Sequence, residues 1–453
     1  MPLDKKDYVD LVHGEFDQTN LYDLEQAFRA FESSKKNHLA VFFHGGLVSR
    51  SDGMAEADQL IAGYRGAGAY PFFFIWNSDL LTALQRRLSR FAEDEVIRRV
   101  VQQDMIFVIQ EMLRVQGLLP EERRQSLQDI AQRLHGDEPP PLTTLADYGR
   151  AVDAIWALRR GDMTLPLVEE RIQAIRAFQE DLAKDPIIVA FDRWMNQTKR
   201  FTPALGSGIL IRVWKRLRSG HDHGLYTTLI EEIAIAIGLD VILAGIWESM
   251  KADIDDAFRA DATRYGGTAF LECLLAAWND DMRLTLIAHS GGAVYINRLL
   301  NAIDDRLPAK IKADIVFIAA ALSFDAFAET IDDDVFRNRV HSYRFFALED
   351  KREGGYWQVP GVYDKSLLYL LSALCERDGD ADKALVGMQR YWSGKKPYKT
   401  KNITTVTNTI SIGERVWSPT PSGAPAGYQA NARRHGRFAV EPKTNASVQH
   451  FLR

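Results

Sequence analysis

Ser290 lies in Ala288-His289-Ser290-Gly291-Gly292, after the apolar run 283–288 (RLTLIA) and before the apolar, helix-like run 293–300 (AVYINRLL). A serine at a sharp strand-to-helix turn needs small neighbours, because adjacent backbone approaches closely. Ala288, Gly291 and Gly292 supply them. The start of the following helix brings backbone N–H groups and the positive dipole end toward the hydroxyl, which suits a nucleophile in acyl transfer. The same five residues also read as a glycine-rich turn in which Ser290 is an N-cap. A second glycine turn, His44-Gly45-Gly46-Leu47, follows the apolar run 38–43 (HLAVFF). Acyl transfer builds negative charge on the former carbonyl oxygen, so a second backbone donor opposite the serine would lower the barrier. The plain alternative is a strand-ending turn.

Positioning such groups takes a buried sheet. The runs 38–43 and 71–76 (PFFFIW) are continuous and apolar, as strands buried on both faces of a parallel sheet are. Further strand-like runs come late in the chain, at 283–288, 313–319 (ADIVFIA), 341–348 (HSYRFFAL) and 403–412 (ITTVTNTISI). Helix-like stretches at 20–34, 293–303 and 365–376 separate or precede them. Strands alternating with helices predict an α/β fold with a mostly parallel central sheet, whose strand C-terminal ends share one edge. Between them, from about 79 to 251, the pattern is helical: Ile97, Val100, Val101, Met105, Val108 and Met112 keep the 3.6-residue period. Helices are also expected at 145–160, 167–182 and 225–237. We therefore expect a core domain of residues 1–78 and 252–453 and an all-helical insertion of residues 79–251.

The 453 residues are 46% hydrophobic and 26% charged, with a formal net charge of -5. That composition is globular and offers no overall attraction to nucleic acid or anionic lipid. The N-terminal residues lack the apolar core of a signal peptide, and the longest apolar stretch, 233–247, is broken by Gly238 and Asp240. With only Cys273 and Cys375, both in apolar helix-like segments, reduced core thiols in a cytoplasmic protein are expected. No glycine-rich phosphate loop is present. His221-Asp222-His223-Gly224 offers a histidine pair but no further ligand at useful spacing, and a helix-capping loop explains it as well, so no metal or other cofactor is expected. The basic run 214–218 reads as a solvated helix face.

With both glycine turns at strand ends, the chain resembles the α/β-hydrolase superfamily across its strand-bearing parts, roughly 8–78 and 252–453. The segment around Ser290 is similar to that family's nucleophile elbow, with Ala288 where the family usually has glycine. The resemblance implies an oxyanion hole formed by the Gly46 and Gly291 N–H groups, with His44 and Gly45 supporting the loop. It also implies the chain order serine, acid, histidine. Of the ten histidines only His341, His435 and His450 follow Ser290. His341 opens a strand and His450 lies three residues from the end, which leaves His435 as the base. The acid expected on family placement is Asp350, just beyond the run 341–348. Glu349, Glu353 and Asp325 are its rivals. The long 418–432 stretch before His435 is expected to be mobile. The implied activity is a serine hydrolase that cleaves a carboxylic ester through an acyl-enzyme, on a small-molecule or lipid substrate. Lipase or amidase chemistry, or a non-catalytic interaction protein using the helical block, is the alternative. Superfamily insertions commonly act as a cap or lid, which implies a substrate-shaping role for 79–251.

Overall fold

The computed structural model describes residues 3–46, 48–76, 95–114, 121–136, 140–160, 203–354, 363–377, 379 and 382–453. Its centre is an eight-stranded sheet of strands β1 (Tyr8–Val12), β2 (Glu15–Phe16), β3 (His38–Phe43), β4 (Tyr70–Trp76), β5 (Arg283–His289), β6 (Ala313–Ile318), β7 (Val340–Leu348) and β8 (Arg415–Ser418). Their order in space is β2-β1-β4-β3-β5-β6-β7-β8. Only the β1–β2 pair is antiparallel. Every residue of β3, β4 and β6 is buried, as their mostly apolar sequences favour for strands covered on both faces. Aromatic side chains fill much of the layer above: Phe43 stacks on Phe74 at 4.7 Å between ring centroids and on Tyr295 at 4.9 Å.

Register decides what the sheet can position. Phe43 is level with Ala288, His289 with Ile318, and Ile318 with Phe346. The loops that leave β3 and β5 therefore emerge side by side at one sheet edge. Helices α1 (Leu21–Ser33) and α2 (Arg50–Gly66) follow the early turns. Asn20 caps α1 by accepting from the Asp23 N–H at 3.0 Å, and Ser49 caps α2.

Two short strands, β1 and β2, are additions to the sequence reading. Asp10 interrupts the apolar pattern of β1, yet it is fully buried because Arg50 pairs with it. The strand expected at 403–412 is a helix instead, Lys401–Thr409. Its β-branched residues favour a strand by intrinsic preference alone. Tertiary packing overrides that preference, since Ile403, Val406 and Ile410 are buried at helical spacing. The Thr400 hydroxyl accepts from the Ile403 N–H at 3.2 Å, and the Thr404, Thr407 and Thr409 hydroxyls donate to carbonyls one turn back. The last strand is the four-residue β8, too short to stand out as a pattern.

By its internal contacts the chain divides into two units. One comprises Met1–Leu81, Ala244–Glu353 and Lys383–Arg453 and holds the sheet; the other comprises Thr82–Leu243 and Gly354–Asp382. Among the described residues the second unit contains helices and no strand: Glu95–Arg114, Glu121–Leu134, Leu142–Arg160, Pro203–Ser219, Leu225–Ala236, the start of Leu239–Asp256, and the α-to-π helical segment Leu367–Cys375. The helix expected at 167–182 lies outside the described residues, as does Leu47 of the early glycine turn. The second unit thus differs from the expected 79–251 insertion in three places, at 79–81, 244–251 and 354–382. Among the described residues no helix is long and apolar enough to cross a membrane, and both cysteines are free thiols.

The helical unit corrects one reading. Within the run 214–218 Lys215 is exposed as expected, but Arg216 is buried and pairs with Glu231 at 2.7 Å and Glu232 at 3.1 Å. His223 lies between Glu231 (2.7 Å) and Asp382 (3.2 Å), and His221 also meets Asp382 at 2.9 Å. Burial works against ionisation of Glu231, but the neighbouring His223 and Arg216 hold its carboxyl below the usual range. The His221–His223 pair is thus part of an ion-pair cluster.

Candidate active site

Where β5 ends, the chain reverses into a helix, Gly292–Arg306, through Ser290. Ser290 has φ +52°, a left-handed conformation that costs a residue with a Cβ about 1–3 kcal/mol. Neighbouring strands hold it there: its N–H donates to the Ile318 carbonyl at 2.9 Å, and its carbonyl accepts from the Ala321 N–H at 3.0 Å. The helix start has Gly291 at its cap without a side-chain hydrogen bond, so Ser290 is not the N-cap of the alternative reading. Its hydroxyl instead meets His435 Nε2 at 2.9 Å, and both residues are buried.

Close packing accounts for the small neighbours. A Cβ on Gly292 would lie 2.4 Å from the Phe43 carbonyl oxygen, so the helix can approach β3 only with glycine there. A Cβ on Gly291 would lie 2.7 Å from the Gly46 amide nitrogen, which places the two glycine turns against each other beside the serine. The Gly45 Cβ position is 3.4 Å from Ser290 Cβ. His44 braces this loop from inside the core: its Nδ1–H donates to the Gly45 carbonyl at 2.9 Å and its Nε2 accepts from the Trp76 N–H at 3.0 Å. Burial drives its pKa down to about 4, which keeps the imidazole neutral and leaves that donor–acceptor pattern intact at neutral pH.

His435 lies in a short 3-10 turn, His435–Arg437, after the last strand. The structure brings Ser290, His435, Gly46 and Gly291 together with His44 and Gly45, but not Asp350. His435 Nδ1 is buried without a hydrogen-bond partner, so neither Asp350 nor Glu349, Glu353 or Asp325 is joined to it. The turn that carries Asp350 is tethered elsewhere, by the Glu349 N–H to the Ser418 carbonyl at 2.9 Å and the Asp350 N–H to Gln389 at 2.8 Å. Glu349 pairs with Lys351, and Asp325 with Lys383 and Asn402. Burial and the neighbouring His289 push the His435 pKa down to about 3.

Two further residues complete the surroundings. His289, which the sequence reading left without a role, has its Nε2 2.9 Å from the His435 carbonyl oxygen and must donate there. Its Nδ1 is 3.7 Å from Glu56 Oε1. Burial raises the Glu56 pKa to about 8, against the pull of Arg437. Helical phase was the available signal for Glu56, since it lies three residues after buried Gly53 and four before buried Leu60 on α2.

The strained turn makes a direct prediction. S290A and S290G both lose the His435 contact, but only alanine keeps a Cβ at φ +52°. Urea unfolding should find S290G the more stable by about 1 kcal/mol. Equal midpoints would show that the turn stores no strain.

No protein-family model, no curated protein and no solved structure matches this chain.

Proposed function

We propose that the protein is a serine hydrolase of the α/β-hydrolase type, cleaving a carboxylic ester through an acyl-enzyme. The observation that carries this reading is the 2.9 Å contact between Ser290 Oγ, on its left-handed turn at a strand end, and His435 Nε2. Ser290 Oγ attacks the ester carbonyl while His435 Nε2 takes its proton. The N–H groups of Gly46 and Gly291 are the donors for the resulting oxyanion. His435 returns the proton to the leaving alcohol, then takes one from the water that attacks the acyl-enzyme. Release of the acid returns that proton to Ser290.

The productive tautomer carries its proton on His435 Nδ1, which has no acceptor among the described residues. What supports the reading is thus a serine–histidine pair and two glycine turns packed against each other beside it, while Asp350 rests on the resemblance alone. An ester needs no parts beyond these. Activity that rises with acyl chain length would point to lipid esters.

A fluorophosphonate probe tests the proposal. The wild-type protein should be labelled and S290A should not. Persistent labelling of S290A would remove Ser290 from the nucleophile role. A wild-type protein that resists labelling would favour an interaction protein built on a hydrolase-like scaffold.

A further inference from the structure

Holding His435 at the nucleophile requires more than its own turn. The residues 435–437 form a single 3-10 turn, and among the described residues the imidazole has no hydrogen-bond partner on its Nδ1 side. The only hydrogen bond between this turn and β5 other than the Ser290 contact, among the described residues, is the one His289 Nε2 makes to the His435 carbonyl. We infer that His289 and Glu56 form a positioning pair for His435, in which the proton on Glu56 selects the His289 tautomer that grips the His435 main chain. This inference rests on the serine-hydrolase reading of the same site.

The chemistry is set by which groups face which. A carbonyl oxygen can only accept, so His289 must carry its proton on Nε2 to bond His435. Its Nδ1 is then a bare lone pair, buried without a hydrogen-bond partner and directed toward Glu56 Oε1 at 3.7 Å. A protonated Glu56 can donate to that lone pair after a small side-chain shift. An ionised Glu56 presents a lone pair of its own, and the pair repels unless the imidazole proton moves from Nε2 to Nδ1. That move leaves the Nε2 lone pair against the His435 carbonyl and breaks the grip. The balance is one proton lost from Glu56 to solvent and one relocated within a neutral imidazole.

The surroundings favour the gripping state at neutral pH. His289 is 2% exposed, and burial lowers its pKa to about 4, so it stays uncharged. Glu56 titrates near 8, and is therefore mostly protonated at pH 7. Apart from His435 itself, the other charged or titratable groups facing the pair among the described residues are Asp52 and Tyr64 on the same helix, Arg437 on the His435 turn, and His44 of the glycine loop; burial holds the Tyr64 phenol well above its ordinary range, so it stays uncharged. Asp52 opposes ionisation of Glu56 and Arg437 favours it. His44 is neutral at this pH and adds no charge.

The test measures kcat and KM for a chromogenic acetate ester from pH 6 to 9.5. Wild-type kcat should fall with a slope of one proton above about pH 8 as Glu56 ionises. E56A and H289A should lower kcat at pH 7 by about 10- to 100-fold with KM nearly unchanged, because the loss is in placement of the base. E56Q, whose amide still donates to Nδ1, should recover most of what E56A loses and should lack the limb near pH 8. H289Q, whose amide can donate to the His435 carbonyl, should likewise exceed H289A. An alkaline limb identical in E56Q and wild type, or H289A with wild-type kcat, would overturn the inference.

A readout independent of turnover separates this from failure of the hydrolase reading. Nitrogen NMR of the histidine rings, assigned with H289Q, should show His289 protonated at Nε2 at pH 7 and at Nδ1 above pH 8. A protein that resists fluorophosphonate but shows this tautomer change would sink the enzyme reading and keep the positioning pair. A labelled, active protein whose His289 tautomer is constant across that range would do the reverse.

Discussion

Replacing Ser290 with alanine is expected to lower kcat on an ester by about 10⁴- to 10⁶-fold, and H435A should fall nearly as far. The more telling result is the double variant, which should be no slower than S290A. On the proposed mechanism the two side chains act as one unit: in acylation His435 takes the proton that Ser290 gives, and Ser290 is a poor nucleophile unless that proton leaves as the bond forms. Once either is gone, the other contributes nothing to the chemical step. The residue left over is binding and oxyanion stabilisation, which neither variant touches. Losses that simply add in the double variant would mean that the two act separately, and that the 2.9 Å contact is not the reacting pair. Far-UV circular dichroism and urea midpoints of the three variants check that the fold is retained.

The sequence disclosed those parts of the site that local pattern determines. Ser290 and the two glycine turns sit where apolar strands stop, and strand ends are visible because β3, β4, β5 and β6 are buried on both faces and carry long apolar runs. Chain order then left His435, and the structure places its Nε2 on the Ser290 hydroxyl. The carboxylate choices failed to reach it for a physical reason. Asp350, Glu349, Glu353 and Asp325 are ordinary acids near strand ends, and which one meets an imidazole depends on how each turn is tethered. Those tethers, Glu349 to Ser418 and Asp350 to Gln389, join residues distant in sequence. Glu56 and His289 were missed for the same reason: their partnership spans more than 200 residues of chain. Propensity misled at 401–409, where four threonines, Ile403 and Val406 form a helix because burial and hydroxyl back-bonds outweigh their strand preference. Arg216 misled as well, since a basic run gives no sign that two acids, Glu231 and Glu232, enclose one of its members.

G291A should be the most damaging single-methyl change in the site, lowering kcat by about 10²- to 10³-fold. The backbone itself does not object, because Gly291 has φ −61°, which alanine adopts freely. The objection is where the methyl must go: it would lie 2.7 Å from the Gly46 nitrogen and 2.8 Å from the Gly46 Cα. Both are backbone atoms that cannot rotate aside, so the two turns must separate. A shift of a few tenths of an ångström at each donor spoils an oxyanion site whose value lies in fixed geometry. G46A provides the contrast. Its methyl meets Met250 Sδ at 2.4 Å, the flexible end of a side chain, and Trp76 Cη2 at 3.1 Å. Met250 can adopt another rotamer, so G46A should lose less, and G46A combined with M250A should regain part of that loss. The second-order rate of fluorophosphonate inactivation should follow kcat through the series, because the phosphonyl oxygen occupies the same two donors. If G291A reacts within about threefold of wild type, an effect far below that of losing one oxyanion donor, then Gly46 and Gly291 are a packing contact and not an oxyanion hole.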